Sequence, residues 1–372
     1  MSNQPSNELS NQSSGGMNTG SGKGAAASIG APMNRVDGRL KVTGGARYSA
    51  EMPVANVVHA VMVTSSIARG RVSRMDTAAA ERVPGVITVL TPANAPRLPK
   101  HEEAGVKRPS GRALTLLQDD LVHYNGQPIG LVVADTLEHA ISAAELVRVT
   151  YAAEKPELDM ATAPPGNPPP SGGGEPPSTT RGNFADGMAQ AAVHVDQTYT
   201  TPFETHNPME PHATLAVWEG DHLTLYDSTQ GVFGCRDSVA RTFGIAPENV
   251  RVVSYFIGGG FGCKGSAWSH VMLSVMAAKQ VGKPVKLVLT RRQMFGPVGG
   301  RPRTVQQVTL GATNDGTLTA IRHDSTSATS EIEDWLEPCA VITRMLYACP
   351  NADTNHHLKK INMGTPTYMR AP

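Results

Sequence analysis

The sequence has 372 residues, 40% of them hydrophobic, and a formal net charge of +1, which is enough chain for two or three domains with real cores. Near-neutral charge excludes bulk binding to nucleic acid or to an anionic membrane surface, since both need a basic excess. The four cysteines (Cys235, Cys263, Cys339 and Cys349) have no CxxC spacing, so neither a disulfide framework nor a zinc site is expected.

No stretch of about 18 apolar residues predicts a membrane span. The N-terminal MSNQPSNELSNQSSGG lacks the positive flank and apolar stretch of a signal peptide. Residues 1–30 are Ser, Asn, Gly and Ala with little to bury, and a disordered tail is expected there. A first block, 31–158, mixes strands and helices. ANVVHAVMV (55–63), PGVITVL (84–90) and QPIGLVVAD (127–135) are β-branched runs bounded by turn residues. TLEHAISAAELVRV (136–149) predicts a helix with Leu137, Ile141, Ala144 and Val147 on one stripe, followed by a strand over 147–152. A linker is expected over 159–182, where ATAPPGNPPPSGGGEPPSTTRG is stiffened by proline at its ends and loosened by glycine in its middle.

The second block, 183–372, opens with a short helix and an alternating strand in FADGMAQAAVHVDQTYTTP. ATLAVWEGDHLTLYDST (213–229) predicts two strands turning at Glu219, Gly220 and Asp221. Residues 234–245 form an amphipathic helix burying Val239, Phe243 and Ile245. NVRVVSYFI is a strand, residues 268–283 an apolar helix, PVKLVLT a strand, and VQQVTLGATNDGTLTAIRHD a hairpin. The fold class is α+β with mixed sheets. No repeat of 20–50 residues is visible.

Between the strand and the apolar helix lies IGGGFGCKG. It is not a Walker A loop, because Cys263 precedes Lys264 and Gly265 follows it. Nor is it GxGxxG, because counting from Gly258 puts Cys263 at the third glycine. Consecutive glycines leave a backbone that can adopt positive φ and bring its amides close to a ligand. The same glycines also suit a tight turn with close helix–sheet packing. ETHNPMEPH gathers Glu204, His206, Glu210 and His212; at strand spacing His206, Glu210 and His212 share a face, a possible metal set that Pro208 and Pro211 interrupt. NHHLKK (355–360) reads as solvated surface and LTRRQMFGPVGGRPR (289–303) as a basic, wet loop that could also touch a subunit or cofactor phosphates.

Residues 228–265, STQGVFGCRDSVARTFGIAPENVRVVSYFIGGGFGCKG, resemble the molybdopterin-binding large subunit of the xanthine dehydrogenase/aldehyde oxidoreductase family. The shared order is Thr-Gln at a strand end, a helix, a short strand, then GGGFGxK. RVDGRLKVTGGARYSAEMP (35–53) is similar to the family's opening signature, with Glu51 where Asp is common. GQPIGLVVADTLEHAISAAELVRVTY (126–151), HNPMEPHATLAVW (206–218) and MRAP (369–372) resemble three further segments. Within the family, MEPHA, GCR and MRAP look most like the molybdenum subunit of bacterial periplasmic aldehyde oxidoreductases.

The resemblance implies a hammerhead-type α/β domain followed by the first part of a molybdopterin-binding domain. It implies oxidation of an aldehyde or N-heterocycle with water as the oxygen source. The implied cofactor is molybdopterin as a pterin dinucleotide, and the implied partners are iron–sulfur and FAD subunits, since this chain has no cysteine set for clusters. Gln230 matches a glutamine beside the metal centre; Gly259, Gly260, Phe261 and Gly262 match the turn against it. Phe261 would also wall the substrate pocket, Arg370 matches a loop arginine near the metal, and Arg344 aligns with a substrate-pocket arginine. No direct side-chain ligand to metal is implied. Gly265 stands where purine oxidisers carry glutamate, which leans toward aldehydes, and Cys263 stands where glycine is usual.

The family's base glutamate is expected in a C-terminal half that would follow Pro372; neither Glu204 nor Glu210 matches it. The chain is therefore expected to be an N-terminal half, fragment or split product, inactive alone, and to reach the periplasm with a partner or stay cytoplasmic. The rival readings are a scaffold half that binds partner subunits, and a metal hydrolase using His206, Glu210 and His212.

Overall fold

The computed structural model describes residues 30, 32–99, 116–169 and 175–370. The expected tail, apart from Gly30, lies outside the described residues. The chain divides into two compact units, Met1–Ala46 and Arg47–Pro372. In the first, α1 (Gly38–Val42) is a short helix with no buried residue. Asp37 at its start pairs with Arg35 and Lys41.

The second unit begins with β1 (Val58–Thr64), β2 (Gly70–Asp76), α2 (Ala78–Glu81), β3 (Val86–Leu90), β4 (Leu121–Val122), β5 (Pro128–Ala134), α3 (Leu137–Leu146) and β6 (Arg148–Ala153). It continues with β7 (Pro165–Gly166), β8 (Thr179–Arg181), α4 (Phe184–Ala189), β9 (Val193–Thr201), β10 (Ala213–Glu219), β11 (His222–Asp227), α5 (Val232–Phe243) and β12 (Val250–Val253). The last elements are α6 (Ser269–Val281), β13 (Val285–Val288), β14 (Thr304–Ala312), β15 (Leu318–Ser330), α7 (Thr343–Leu346) and β16 (Ala352–Ile361). The class is α+β, as expected.

A seven-stranded sheet runs β12-β11-β10-β13-β1-β5-β3. It crosses the expected linker: β1 lies parallel to β13, Val58 opposite Val285, and antiparallel to β5. The linker residues Pro165–Gly166 and Thr179–Arg181 are themselves short strands paired with β16. β16 belongs to a second sheet, β7-β16-β15-β14-β9, with β8 also on β16; a third sheet is β4-β2-β6.

β5 is buried at all seven positions, so its β-branched run is uninterrupted by polar residues. Leu131 and Val133 face the main core, while Val132 joins a smaller cluster on the other side. α6 is buried continuously from His270 to Ala278, and it packs on β10 and β13. A helix covered all round needs no polar stripe. This is why 268–283 reads as evenly apolar.

Two expectations need correction. On α3 the buried residues are Ala140 and Ala143; of the expected stripe Ala144 and Val147 pack against the smaller cluster, but Leu137 and Ile141 are exposed by 39% and 41%. The helix lies against β1 and β5, and short alanine side chains permit that close approach. The segment 355–360 is not solvated surface but an interior strand, with His356 buried and His357 exposed. His356 is accommodated by hydrogen bonding: Nδ1 meets Pro177 O at 2.6 Å and Nε2 accepts the Ala340 N–H at 3.0 Å.

Leu131 lies at the centre of this packing and is fully buried. Leu131→Ala is expected to destabilise the unit by about 2–5 kcal/mol. Chemical denaturation would read this as a lower midpoint at unchanged slope.

Candidate functional site

β12 ends at Val253, and the chain then turns through the glycine stretch before entering α6. Two successive tight turns shape it: the Cys263 N–H donates to Gly260 O at 3.0 Å and the Gly265 N–H to Gly262 O at 2.9 Å. Phe261 has φ +53, a left-handed conformation that costs an aromatic residue on the order of 1 kcal/mol. The residue is 50% exposed.

The glycines are sterically required. A Cβ on Gly260 would lie 2.5 Å from Gln230 Oε1, and one on Gly262, at φ +113, would lie 2.0 Å from Tyr368 O. Two other segments therefore close on the loop. Gln230 follows β11 and is anchored by its own N–H to Lys264 O at 2.8 Å, beside the Thr229 hydroxyl, which donates to the same carbonyl at 3.2 Å. The Gln230 Oε1 accepts the Gly262 N–H at 3.0 Å. That bond fixes which way the carboxamide points and leaves the Nε2 donors without an acceptor among the described residues. From the other side, the Arg370 N–H donates to Phe261 O at 2.8 Å. His206 Nε2 bonds the Tyr368 carbonyl.

The N–H groups of Gly259, Gly260 and Phe261 have no acceptor among the described residues. Gly260 is nonetheless buried. Buried amides are ordinarily hydrogen-bonded, so the Gly260 N–H stands out, with the half-buried Gly259 and exposed Phe261 N–H groups and the Gln230 Nε2 beside it; such a set of donors can receive an oxygen-rich group. The exposed Arg370 guanidinium makes no ion pair among the described residues. The other residues of MRAP, Ala371 and Pro372, lie outside the described residues.

Beneath the loop lies a buried polar layer. Lys264, 1% exposed, extends its ammonium to Glu210 Oε2 at 2.7 Å. The same carboxylate oxygen accepts the Gly258 N–H at 2.7 Å. Burial lowers the Lys264 pKa, opposed by Glu210. Asp227, at the end of β11, accepts hydrogen bonds from the Thr214 hydroxyl and the Cys235 thiol. Burial pushes its carboxyl up to about 6 in spite of those donors. His212 is driven down to about 3 and His270 well below the usual range, both by burial first. Their rings meet edge to face at 5.3 Å, and His212 Nε2 reaches Cys263 O at 3.2 Å. Burial raises Cys263 to about 11, and its Sγ–H donates to Gly260 O at 3.0 Å.

The proposed metal set does not converge. His206 holds Tyr368, Glu210 holds Lys264 and Gly258, and His212 holds Cys263. Among the described residues no three His, Cys, Asp or Glu side chains are grouped to hold a metal. Nor is Arg344 brought to the loop: its guanidinium bonds Thr354 Oγ1 and Pro176 O, each at 2.9 Å. Glu204 pairs with Arg301 at 3.6 Å.

The basic loop is not wet throughout, since Pro297–Gly300 are buried. Arg291 pins the segment before Glu210 through Asn207 Oδ1, Pro208 O and Met209 O. The sequence reading missed this role and the Glu210–Lys264 pair. Both join residues far apart in the chain, and the one local sign was a lysine following an apolar glycine turn.

Residues 172–372 match the family model of the molybdopterin cofactor-binding domain. Residues 43–155 match that of the a/b hammerhead domain of aldehyde oxidase and xanthine dehydrogenase. The chain belongs to the molybdopterin-binding subunits of the aldehyde oxidoreductase/xanthine dehydrogenase family. It is 38% identical over 352 residues to the aldehyde oxidoreductase molybdenum-binding subunit PaoC of Escherichia coli, covering 92% of this chain and 46% of that protein. It is 27% identical over 350 residues to xanthine dehydrogenase/oxidase of Mus musculus, covering 92% and 26% respectively. The chain thus spans less than half the length of these curated relatives.

Among solved structures, the aldehyde oxidoreductase of Desulfovibrio gigas matches with a TM-score of 0.77 and 25% identity, over 90% of this chain and 39% of that one. Reconstituted CO dehydrogenase of Oligotropha carboxidovorans has the same fold, with a TM-score of 0.78 at 22% identity over 91% and 45%. The molybdopterin-binding match contains Gln230, the glycine loop and Arg370. No helix among the described residues is long and apolar enough to cross a membrane.

Two measurements probe this geometry. Gly262→Ala should displace the Tyr368–Arg370 segment, lowering the melting temperature and exposing Trp335, whose ring meets Tyr368 edge to face at 4.6 Å; tryptophan fluorescence reads the change. For His212, a depressed folded-state pKa means stability is fully present above the unfolded value and lost as pH falls toward 3. Between pH 7 and pH 4 the parent protein is expected to lose about 3 kcal/mol more than His212→Gln, read from denaturation midpoints across that range.

Proposed function

We propose that this chain positions a molybdopterin cofactor for the oxidation of aldehydes to carboxylic acids with water as oxygen source. The supporting observation is the cradle: the Gln230 carboxamide, its Oε1 held by the Gly262 N–H and its Nε2 without a bond among the described residues, beside the amides of Gly259, Gly260 and Phe261. A molybdenum cofactor presents oxygen atoms and negative charge, which suit neutral donors held rigidly in place. When bound, the cofactor supplies the redox chemistry.

The chain's own residues bind and orient. Gln230 donates through Nε2 without adding charge. The Gly259–Phe261 amides hold an oxygen-rich edge. Phe261, half-exposed, offers an apolar wall to a substrate and sheds water from it. Arg370, tied by its N–H to Phe261, aims a planar cation at a carbonyl or oxyanion. We assign no base within this chain, because Glu204 and Glu210 are paired with Arg301 and Lys264. We expect that base from the part of the relatives' length that this chain does not span. A pterin dinucleotide is the proposed form of the cofactor. Electrons would leave to iron–sulfur clusters and FAD on partner subunits.

The alternative substrate is an N-heterocycle. Gly265 offers no carboxylate after Lys264 to bind a purine ring, and the aldehyde reading is preferred on that residue and on the likeness to PaoC.

The test is Gln230→Ala in the complete complex. Losing one oriented donor should lower aldehyde-dependent dye reduction roughly a hundredfold or more, with less molybdenum retained per chain. Full turnover and full molybdenum in the variant would reject the role.

A further inference from the structure

The buried ion pair of Glu210 and Lys264 is not explained by packing alone. Lys264 is among the largest fully buried side chains of the protein, and burying such an ammonium is unfavourable unless it is paired and hydrogen-bonded. Its partner is incompletely satisfied too, since Glu210 Oε1 is buried without a hydrogen bond. An apolar pair of the same volume would fill this space at least as well.

The pair's connections are specific. Glu210 Oε2 accepts both the Lys264 ammonium and the Gly258 N–H. The Glu210 N–H donates to Gly258 O at 3.0 Å. At the other end, the Lys264 carbonyl receives the Gln230 N–H and the Thr229 hydroxyl. Gln230 in turn holds Gly262. A closed circuit therefore runs from Glu210 to Gly258, along the loop to Lys264, and back across the ion pair. Gln230 and every unpaired amide of the cradle are on or attached to this circuit.

We propose that Glu210 and Lys264 are positioning residues, clamping the two ends of the glycine loop so that the Gln230 carboxamide and the Gly259–Phe261 amides stay aimed at one ligand. The role lies in geometry: shortening the loop's span between Gly258 and Lys264 fixes where Gln230 is anchored. The inference rests on the cofactor-binding reading above, which it deepens.

The test compares three forms of the full gene product, purified with the subunits that accompany it. They are the parent, Lys264→Met, and the neutral double variant Glu210→Gln/Lys264→Met. The double variant leaves no buried unpaired charge and keeps an amide oxygen for the Gly258 N–H. It therefore remains informative if the single variant fails to fold. Hydrogen exchange is read by mass spectrometry on peptides covering 228–232 and 258–265, and molybdenum is counted per chain.

In the double variant, exchange in both peptides is expected to accelerate about tenfold or more, while β10, β11 and β13 keep their protection and molybdenum per chain falls. Parent-like exchange in both peptides overturns the proposal. So does loss of protection throughout the seven-stranded sheet, which marks the pair as a general element of stability. Faster loop exchange with parent-like molybdenum content also overturns it, since the clamp would then not serve the ligand. If the parent itself carries no molybdenum, the reading of function fails, while the exchange comparison still decides whether the pair clamps the loop.

Discussion

The site depends on the absence of two β-carbons. At Gly262 the Tyr368 carbonyl occupies the space a side chain would need, and at Gly260 the Gln230 carboxamide does. A side chain at Gly262 forces the Tyr368 segment away, and one at Gly260 turns the Gln230 carboxamide out of its place. With both glycines present, chain from three distant places meets within hydrogen-bonding distance: the end of β11, the loop before α6 and the stretch after β16. Apart from the Gln230 and His206 side chains, these contacts are between backbone groups, whose positions are set by dihedral angles rather than by rotamers. That rigidity suits a cofactor whose position must not drift.

Behind this backbone surface, the protein places charge and hydrogen-bonding capacity where water does not reach. Desolvation is the first cause of every shift among Asp227, His212, His270, Cys263 and Lys264. The sign of each shift follows from which protonation state carries charge. Histidines stay neutral, thiols stay protonated, and the Asp227 carboxyl is drawn toward neutrality. Lys264 is paired with the Glu210 carboxylate at 2.7 Å, and the His270 imidazole lies 3.9 Å from Asp227. Among these groups the Lys264–Glu210 ion pair is the one tied directly to the loop, through the Gly258 N–H.

Much of this fold is legible in the sequence, and the reasons differ by element. β5 and α6 are buried on all sides, so their unbroken apolar composition announces them. The hairpin of β10 and β11 is signalled by Glu219, Gly220 and Asp221. β2 (GRVSRMD) escaped because it is largely exposed and carries arginines at Arg71 and Arg74. β16 was misread because His356 and two lysines look wet, whereas neighbouring backbone groups at Pro177 and Ala340 satisfy the buried imidazole. At the site, the glycine motif pointed to Gln230 and the loop, and the structure brings them together with the Arg370 backbone. Arg344 could not be placed from sequence, because its partners Thr354 and Pro176 are assembled only by the pairing around β16. The Glu210–Lys264 pair was hidden for the same reason: each residue sits in a recognisable motif, but no local pattern says that the two motifs touch.

The seven-stranded sheet explains how a loop so thin in side chains keeps its place. The loop is tethered at one end to β12 and at the other to α6, and α6 lies on β10 and β13. β13 in turn is held between β10 and β1. Strands from residues 58–134 therefore support the helix that anchors the loop, even though none of them contributes a donor to the cradle. Displacing β1 would remove the partner of β13 along Val58–Ala60 and loosen the floor under α6. The hammerhead region and the molybdopterin-binding region are distinct as family matches, yet mechanically they share one sheet. The sheet thus supports α6 and the chain leading into it, where the Lys264 carbonyl anchors the Gln230 N–H.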